Sequence, residues 1–192
     1  DRFAIGANAR SSRRHLRCHT GVMVPWLICI LGAECTGKTT LALNLAEQFS
    51  GLWVPEVLRE FCDTHGRTPR GDEQQPIVQS QLERENTALT KARREGLTHV
   101  FCDTCPLLTA LYSEYYFSDS SLLAQGHDLH TSYALTLLLA PDLPWVADGA
   151  QRDGVTVQAA IHARLLHELQ AGRHPCHQVS GQGVGRLQTA ID

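Results

Sequence analysis

The sequence lacks two features that would assign it to a common class of protein. Its longest apolar stretches, around residues 22–33 and 133–141, are much shorter than the ~20 residues that a membrane-spanning helix needs. Its net charge is only −3 over 192 residues, so no strong field draws it to nucleic acid or to an anionic membrane. These absences predict a soluble protein with a small-molecule partner and with no nucleic-acid or membrane partner.

A complete zinc motif is also lacking. Cys102 and Cys105 form a CxxC pair, but no second pair follows, and Cys102 falls within a predicted strand. A later cluster of metal-binding residue types comprises His174, Cys176 and His177. Because the four-ligand pattern is incomplete, we predict no zinc site. The odd total of seven cysteines, with Cys29 and Cys102 in predicted buried strands, favours a reducing, cytoplasmic setting.

Residues 1–22 differ in composition from the rest of the chain. Within it Arg10, Arg13, Arg14 and Arg17 lie among serines and small residues. We predict that this basic arm is mostly disordered and that residues 23–192 form one domain. The only methionine is Met23, so our hypothesis is that the functional chain begins near it and that the arm is upstream or added sequence. A targeting arm that resembles a transit peptide is the alternative.

The most specific motif runs from Gly32 to Thr39 and satisfies the pattern GxxxxGK[ST] of a phosphate-binding loop, or P-loop. It lies between an apolar run and a helical pattern, where backbone N–H groups and a helix N-terminus can point at phosphate oxygens. Lys38 is predicted to reach the β- and γ-phosphates of ATP, and the Thr39 hydroxyl to bind Mg²⁺. The predicted nucleotide-binding residues are Gly32, Ala33, Glu34, Cys35, Thr36, Gly37, Lys38, Thr39 and Thr40.

Apolar runs and helical patterns alternate along the chain and predict an α/β fold. We expect a P-loop NTPase fold, a doubly wound parallel sheet of about five strands with helices on both faces. The predicted strands cover residues 26–31, 52–55, 98–102, 133–140 and 176–180. The predicted helices cover residues 38–49, 72–95, 107–116 and 155–171, followed by a terminal helical turn. The helix at 72–95 is polar along its length and is expected to be exposed.

Carboxylates follow two of the predicted strands. Glu56 comes directly after the second strand, with Arg59 just beyond it, and Asp103 ends the third strand. Because ligands bind at the carboxyl ends of parallel strands, we expect both acids to face the P-loop crevice. One can accept a proton from an attacking hydroxyl while the other holds Mg²⁺, and the sequence leaves open which does which. The alternative for Glu56 is a surface acid paired with arginine.

An irregular loop follows the fourth strand at residues 140–153, with two prolines and a glycine. Such a loop can close over a site, exclude water and place Arg152 on a transferring phosphate. The alternative is a plain surface loop in which Trp145 packs on the core.

Aromatic side chains cluster after Asp103. Tyr112, Tyr115 and Tyr116 offer flat faces on which a planar cationic ring would stack, and core packing is the alternative for Tyr112 and Tyr116. The histidines receive no catalytic role, and we expect loop or surface positions for His65, His127 and His130.

Together these segments resemble the ribosylnicotinamide kinase domain of NadR-type proteins, from about Met23 to the C-terminus. The resemblance implies ATP- and Mg²⁺-dependent transfer of a γ-phosphate to the 5′-hydroxyl of nicotinamide riboside, giving nicotinamide mononucleotide for NAD salvage. It implies catalytic roles for Lys38, Glu56, Asp103 and Arg152, and metal binding by Thr39 and Asp103. It also implies acceptor binding by Glu56, Arg59, Asp103, Tyr112, Tyr115, Tyr116, Trp145 and Asp148.

Two residues depart from the family pattern. Cys35 replaces the usual serine of the P-loop, where the backbone makes the contacts, and Cys105 stands where the family often has an acidic or polar residue. A kinase of another nucleoside or metabolite, and a regulatory ATP-binding module, remain as alternatives. Glu56 and the loop with Arg152 favour an enzyme, because a sensor needs neither a base nor water exclusion. Full-length NadR proteins also carry an adenylyltransferase domain, and we expect a separate adenylyltransferase to complete NAD synthesis here.

Overall fold

The computed structural model describes residues 24–146 and 154–192. The predictions for the N-terminal arm, Asp148 and Arg152 lie outside the described residues. In chain order the elements are β1 (Trp26–Leu31), α1 (Lys38–Gln48), β2 (Leu52–Val54), α2 (Val57–His65), a 3₁₀ turn (Gly71–Glu73), α3 (Gln74–Glu95), β3 (His99–Asp103), α4 (Pro106–Phe117), α5 (Leu123–His130), β4 (Leu135–Leu139), α6 (Gly154–Ala171), β5 (Cys176–Val179) and α7 (Gly183–Ile191).

The strands form one parallel sheet in the order β2-β3-β1-β4-β5. The first strand is central, with β3 and then β2 on one side and β4 and then β5 on the other. Ligands of such sheets bind where the strand order reverses, at the carboxyl end of the central strand. The P-loop begins at that point, directly after Leu31. The predicted fold class is therefore confirmed.

The central strand is buried on both faces. Leu27, Cys29 and Leu31 pack in a core with residues of α3, α4 and α6. Ile28 and Ile30, which alternate with them, pack in a second core with residues of α1 and α7. Period-two alternation thus divides one apolar run between two helical layers, as a doubly wound sheet requires.

Two helices were not predicted from the sequence. In α2, Val57, Leu58 and Cys62 pack against Ile77 of α3. In α5, Gly126 argues against a helix, but a side chain there would come within 3.2 Å of the Leu107 backbone. Glycine therefore allows α5 to approach α4 closely. The terminal turn also proves to be a longer helix, α7.

The expectation that α3 is exposed holds for one face only, because the other face buries polar as well as apolar side chains. Glu85 is only 2% exposed, and both of its carboxylate oxygens accept a hydrogen bond from the Tyr133 hydroxyl at 2.9 Å. Gln81, equally buried, donates to Glu85 at 3.1 Å. Burial raises the pKa of Glu85 to about 7, against the lowering effect of these hydrogen bonds. Polar side chains of α3 can therefore face the core, because their polar groups are hydrogen-bonded there.

We expect the Glu85→Gln variant to lose much of the dependence of stability on pH. The folded pKa of about 7 lies above the ordinary 4.5, so the folded protein keeps a proton that the unfolded chain loses. Wild-type stability should therefore fall as pH rises from about 4.5 to 7, by at most about 3.5 kcal/mol at about 1.4 kcal/mol per pKa unit. Urea unfolding at pH 5 to 8 measures this fall.

The matched control is Glu83→Gln, since Glu83 is exposed on the same helix and should keep the wild-type pH profile. Parallel profiles for wild type and Glu85→Gln would contradict the prediction.

His130 was expected in a loop or at the surface, and this expectation was wrong, because the side chain is only 2% exposed. Its Nε2 lies 2.7 Å from the Thr136 hydroxyl, and its Nδ1 lies 3.5 Å from the Cys105 sulfur. His127 lies in the same helix, half-buried, and pairs with Glu168 at 2.6 Å, whereas His65 is exposed as expected.

Membrane-spanning helices and clusters of metal-binding side chains are both absent from the described ranges. Neither residues 24–146 nor 154–192 contain a helix with the length and apolar character needed to cross a bilayer. Across the same ranges, no three histidine, cysteine, aspartate or glutamate side chains form a group that could hold a metal ion.

Candidate active site

The P-loop curls between the end of β1 and the start of α1. Cys35 and Gly37 have positive φ angles of 57° and 80°, and a side chain at Gly32 would come within 2.5 Å of the Thr36 hydroxyl. Gly37 occupies the N-cap position of α1, and no side chain caps that helix. The first N–H groups of α1 therefore remain available to an anion, as phosphate binding requires. Thr40 is exposed in the first turn of α1.

Two buried side chains hold the P-loop carbonyl groups from outside. Gln158 of α6 donates to the Glu34 carbonyl at 2.7 Å, and Arg186 of α7 donates to the Thr36 carbonyl at 2.5 Å. The Arg186 guanidinium also donates to the Gly181 carbonyl and pairs with Asp142. Sequence reasoning missed both residues, because their partners lie 124 and 150 positions away and no local pattern marks them.

Lys38 is buried at the end of the P-loop. Its Nζ donates to the Ala33 carbonyl at 3.1 Å, which folds the side chain back along the loop. Its charge lowers the pKa of Glu56 and of Asp103 against the raising effect of burial. The P-loop cation and both strand-end acids therefore belong to one electrostatic site.

Glu56 lies between β2 and α2 and is 6% exposed. Burial raises the pKa of Glu56, Asp103 raises it further, and Lys38 and Arg59 lower it. The Arg59 Nε lies 4.0 Å from the Glu56 Oε2. Glu56 is therefore not a surface acid, although it does face an arginine.

Asp103 closes β3 and accepts a hydrogen bond from the Thr39 hydroxyl at 2.6 Å. It is 1% exposed, and burial raises its pKa, while Thr39, Lys38 and Arg59 lower it. Its Oδ1 atom is buried and has no hydrogen-bond partner among the described residues. A hydroxyl and a carboxylate are hard oxygen donors of the kind that Mg²⁺ prefers, so Thr39 and Asp103 fit a magnesium ion.

The tyrosine segment divides into a packed part and an exposed part. Tyr112 packs against the main core and against the cluster of α2 with α3. Tyr115 and Tyr116 are each 47% exposed, and Tyr116 stacks on Tyr112 at 5.9 Å between ring centroids. Core packing therefore accounts for Tyr112, while Tyr115 and Tyr116 present ring surface to solvent.

The loop after β4 begins against the P-loop. The Cys35 thiol donates to the Val146 carbonyl at 2.9 Å, and a side chain at Gly37 would lie 3.2 Å from Leu143. Trp145 is half-buried, and its indole nitrogen has no hydrogen-bond partner within the described part of the chain. The described part of this loop is therefore adjacent to the nucleotide site.

Cys105 lies in the core. The side chain is fully buried at the N-cap of α4, within 3.5 Å of His130. The departure from the family pattern at this position is thus accommodated by packing inside the fold.

A parallel sheet, a P-loop at its central strand and two buried acids at neighbouring strand ends define a P-loop nucleotide-binding protein of the α/β class. A family profile described as an AAA domain matches residues 27–186, and the chain belongs to this family. No curated protein matches the sequence.

Solved structures share the fold. The NadR protein in complex with NR is 18% identical, with a TM-score of 0.68 over 88% of this chain and 50% of NadR. NadR in complex with NAD and AMP-PNP is also 18% identical, with a TM-score of 0.69 over 88% of this chain and 48% of NadR. This chain thus spans about half the length of the NadR chains. Thymidylate kinase from Ehrlichia chaffeensis is 17% identical with a TM-score of 0.61, over 87% of this chain and 97% of its own. Deoxyadenosine kinase from M. mycoides is 10% identical, with a TM-score of 0.59 over 86% of this chain and 96% of its own. The resemblance to NadR is confirmed for the fold.

Proposed function

We propose that this protein transfers the γ-phosphate of ATP to the 5′-hydroxyl of nicotinamide riboside, forming nicotinamide mononucleotide. The observation that carries the proposal is the grouping of the P-loop Lys38 with two buried carboxylates, Glu56 and Asp103. A phosphoryl-transfer enzyme needs a phosphate-binding cation, a metal-binding acid and a base for the acceptor hydroxyl. A nucleotide sensor does not need the third of these groups.

Glu56 is the better candidate for the base. Asp103 already accepts a hydrogen bond from Thr39, the P-loop residue that the motif assigns to Mg²⁺. Glu56 makes no hydrogen bond to the N–H groups of its own helix, so its carboxylate is available to accept a proton. Burial raises its pKa above the ordinary value, which strengthens it as a base.

The other residues of the site are assigned to phosphate and metal binding and to water exclusion. Lys38 and the P-loop N–H groups bind the phosphates, and Thr39 and Asp103 would hold Mg²⁺, which offsets phosphate charge when bound. We assign Arg152 to the transferring phosphate and the loop that carries it to water exclusion.

The proposed acceptor site combines exposed aromatic surface with the strand-end acids. A nicotinamide ring is planar and cationic, and Tyr115, Tyr116 and Trp145 offer faces on which it could stack. Arg59 and Asp148 complete the proposed set. The NadR structure in complex with NR supports this choice of acceptor, since NadR shares the fold.

The test is incubation with ATP, Mg²⁺ and a panel of nucleosides, with phosphorylated products measured by mass spectrometry. The panel contains nicotinamide riboside, thymidine, deoxyadenosine, deoxycytidine and uridine. We expect phosphorylation of nicotinamide riboside above all others. Preference for another nucleoside would refute the acceptor, and bound ATP without any product would support a sensor.

A further inference from the structure

The N-terminus of α2 is capped in an unusual way. Glu56 occupies its N-cap position, where a carboxylate commonly accepts hydrogen bonds from the first N–H groups of the helix. The Glu56 side chain makes no such bond. The Val57 N–H, which has no partner within the helix, donates instead to Gln81 Oε1 of α3 at 3.1 Å. A neighbouring helix thus holds the first N–H group of α2, one residue from Glu56.

The Gln81 amide can occupy this site in only one orientation. Its oxygen accepts from Val57, and its nitrogen donates to Glu85 Oε1 at 3.1 Å. Glu85 is itself held by the Tyr133 hydroxyl. Because a backbone N–H can only donate, exchanging the amide oxygen and nitrogen would break the bond to Val57. The series of hydrogen bonds from Tyr133 through Glu85 and Gln81 to Val57 therefore fixes the orientation of the Gln81 amide.

The groups that surround Glu56 explain why its carboxylate needs a fixed position. Lys38 from α1 and Arg59 from α2 attract it, and Asp103 from β3 repels it. The apolar packing of α2 on Ile77 is not directional, so it does not by itself select a rotation of the helix end. The bond from Val57 to Gln81 is directional and lies one residue from Glu56.

We propose that Gln81 is a positioning residue for the base: it holds the first N–H group of α2 and so fixes the helix end from which the Glu56 carboxylate reaches the acceptor hydroxyl. The kinetic part of this inference rests on the proposed function. Without Gln81, the N-terminal end of α2 would lose its directional contact with α3, and the Glu56 carboxylate would no longer be held in one position.

Amide hydrogen exchange tests the structural part without any reaction. The Val57 amide should be protected in the wild-type protein and should exchange roughly tenfold faster or more in Gln81→Met, as expected when a hydrogen-bonded amide loses its partner. Gln81→Glu, measured at pH 6, keeps the acceptor and should keep the protection, because Glu85 with a pKa of about 7 is protonated there and can donate. A rapidly exchanging Val57 amide in the wild type would overturn the proposal even if no variant folds.

A double-mutant cycle tests the kinetic part. Gln81→Met should lower kcat roughly ten- to hundredfold, as misplacement of a catalytic group does, with little change in KM for ATP. In a Glu56→Gln background the same substitution should cause no further fall. Gln79→Met on the exposed face of α3 is the control and should leave kcat unchanged.

The results separate the possible failures. If Gln81→Met lowered kcat equally in the wild-type and Glu56→Gln backgrounds, or in neither, the positioning role would be overturned. Near-normal turnover of Glu56→Gln alone would refute the base assignment in the proposed function, and the bond to Gln81 would still be decided by Val57 exchange. If Gln81→Met does not fold, Gln81→Asn replaces it, since the shorter amide cannot reach Val57.

Discussion

Replacing Lys38 with methionine is expected to lower kcat about 10²- to 10³-fold, the usual cost of removing one preorganised charge or donor from a transition state. The Lys38 side chain is buried at the end of the P-loop, where low polarity makes its charge effective. Methionine approximates the length of the side chain without the charge. Steady-state phosphorylation at saturating ATP measures the loss.

The pH profile should change as well. Lys38 lowers the pKa of both Glu56 and Asp103, so its loss should raise both values and move the acid limb of the kcat profile to higher pH. Lys91→Met is the control, because Lys91 is an exposed lysine on α3. If Lys38→Met retained near-normal turnover, phosphate binding by the P-loop would not be part of the reaction.

Local sequence signals predicted the parts of the fold that depend on local chemistry. The P-loop glycines mark a turn that bulkier residues cannot adopt, and the alternation within Trp26–Leu31 marks a strand buried on both faces. The position of Asp103 at the end of β3 was predictable because an acid that closes an apolar strand next to a P-loop is the usual metal-binding arrangement.

Long-range pairing decided what the sequence could not predict. Glu85 is indistinguishable from an exposed helix residue until Tyr133, 48 positions later, is known to be its partner. The same holds for Arg186 and Thr36, which are far apart in the chain. His130 was misplaced for this reason too, since a buried hydroxyl from β4 pairs with it. Polarity predicts exposure only when the core contains no partner for the polar group.

Helix α2 was missed for a different reason. It begins directly after β2 with only Pro55 and Glu56 between them, so no loop composition indicated it. Its apolar residues fall on one face, but the helix is short, and its N-cap side chain gives no capping signal because it is not used as a cap. The residue that sequence reasoning treated as a strand-end acid is therefore also a helix-end acid.

Replacing Glu56 with glutamine should lower kcat by ~10² to 10⁴, the contribution expected of a general base, while ATP binding is retained. Glutamine keeps the shape of the side chain but cannot take the proton of the acceptor hydroxyl. The wild-type kcat should rise with pH as Glu56 loses its proton, at a pH above the ordinary 4.5 because burial raises its pKa. The acid limb should disappear in Glu56→Gln.

The neighbouring Glu60 provides the control for this substitution. Glu60 lies on α2, half-exposed, and pairs with Arg84 at 2.6 Å, so Glu60→Gln should leave kcat and its pH profile close to wild type. ATP binding by calorimetry should be similar in all three proteins, since neither substitution touches the P-loop. Near-normal turnover of Glu56→Gln with its acid limb intact would transfer the role of base to Asp103. Because Asp103 also bonds to Thr39, the same carboxylate would then have to bind the metal and accept the proton.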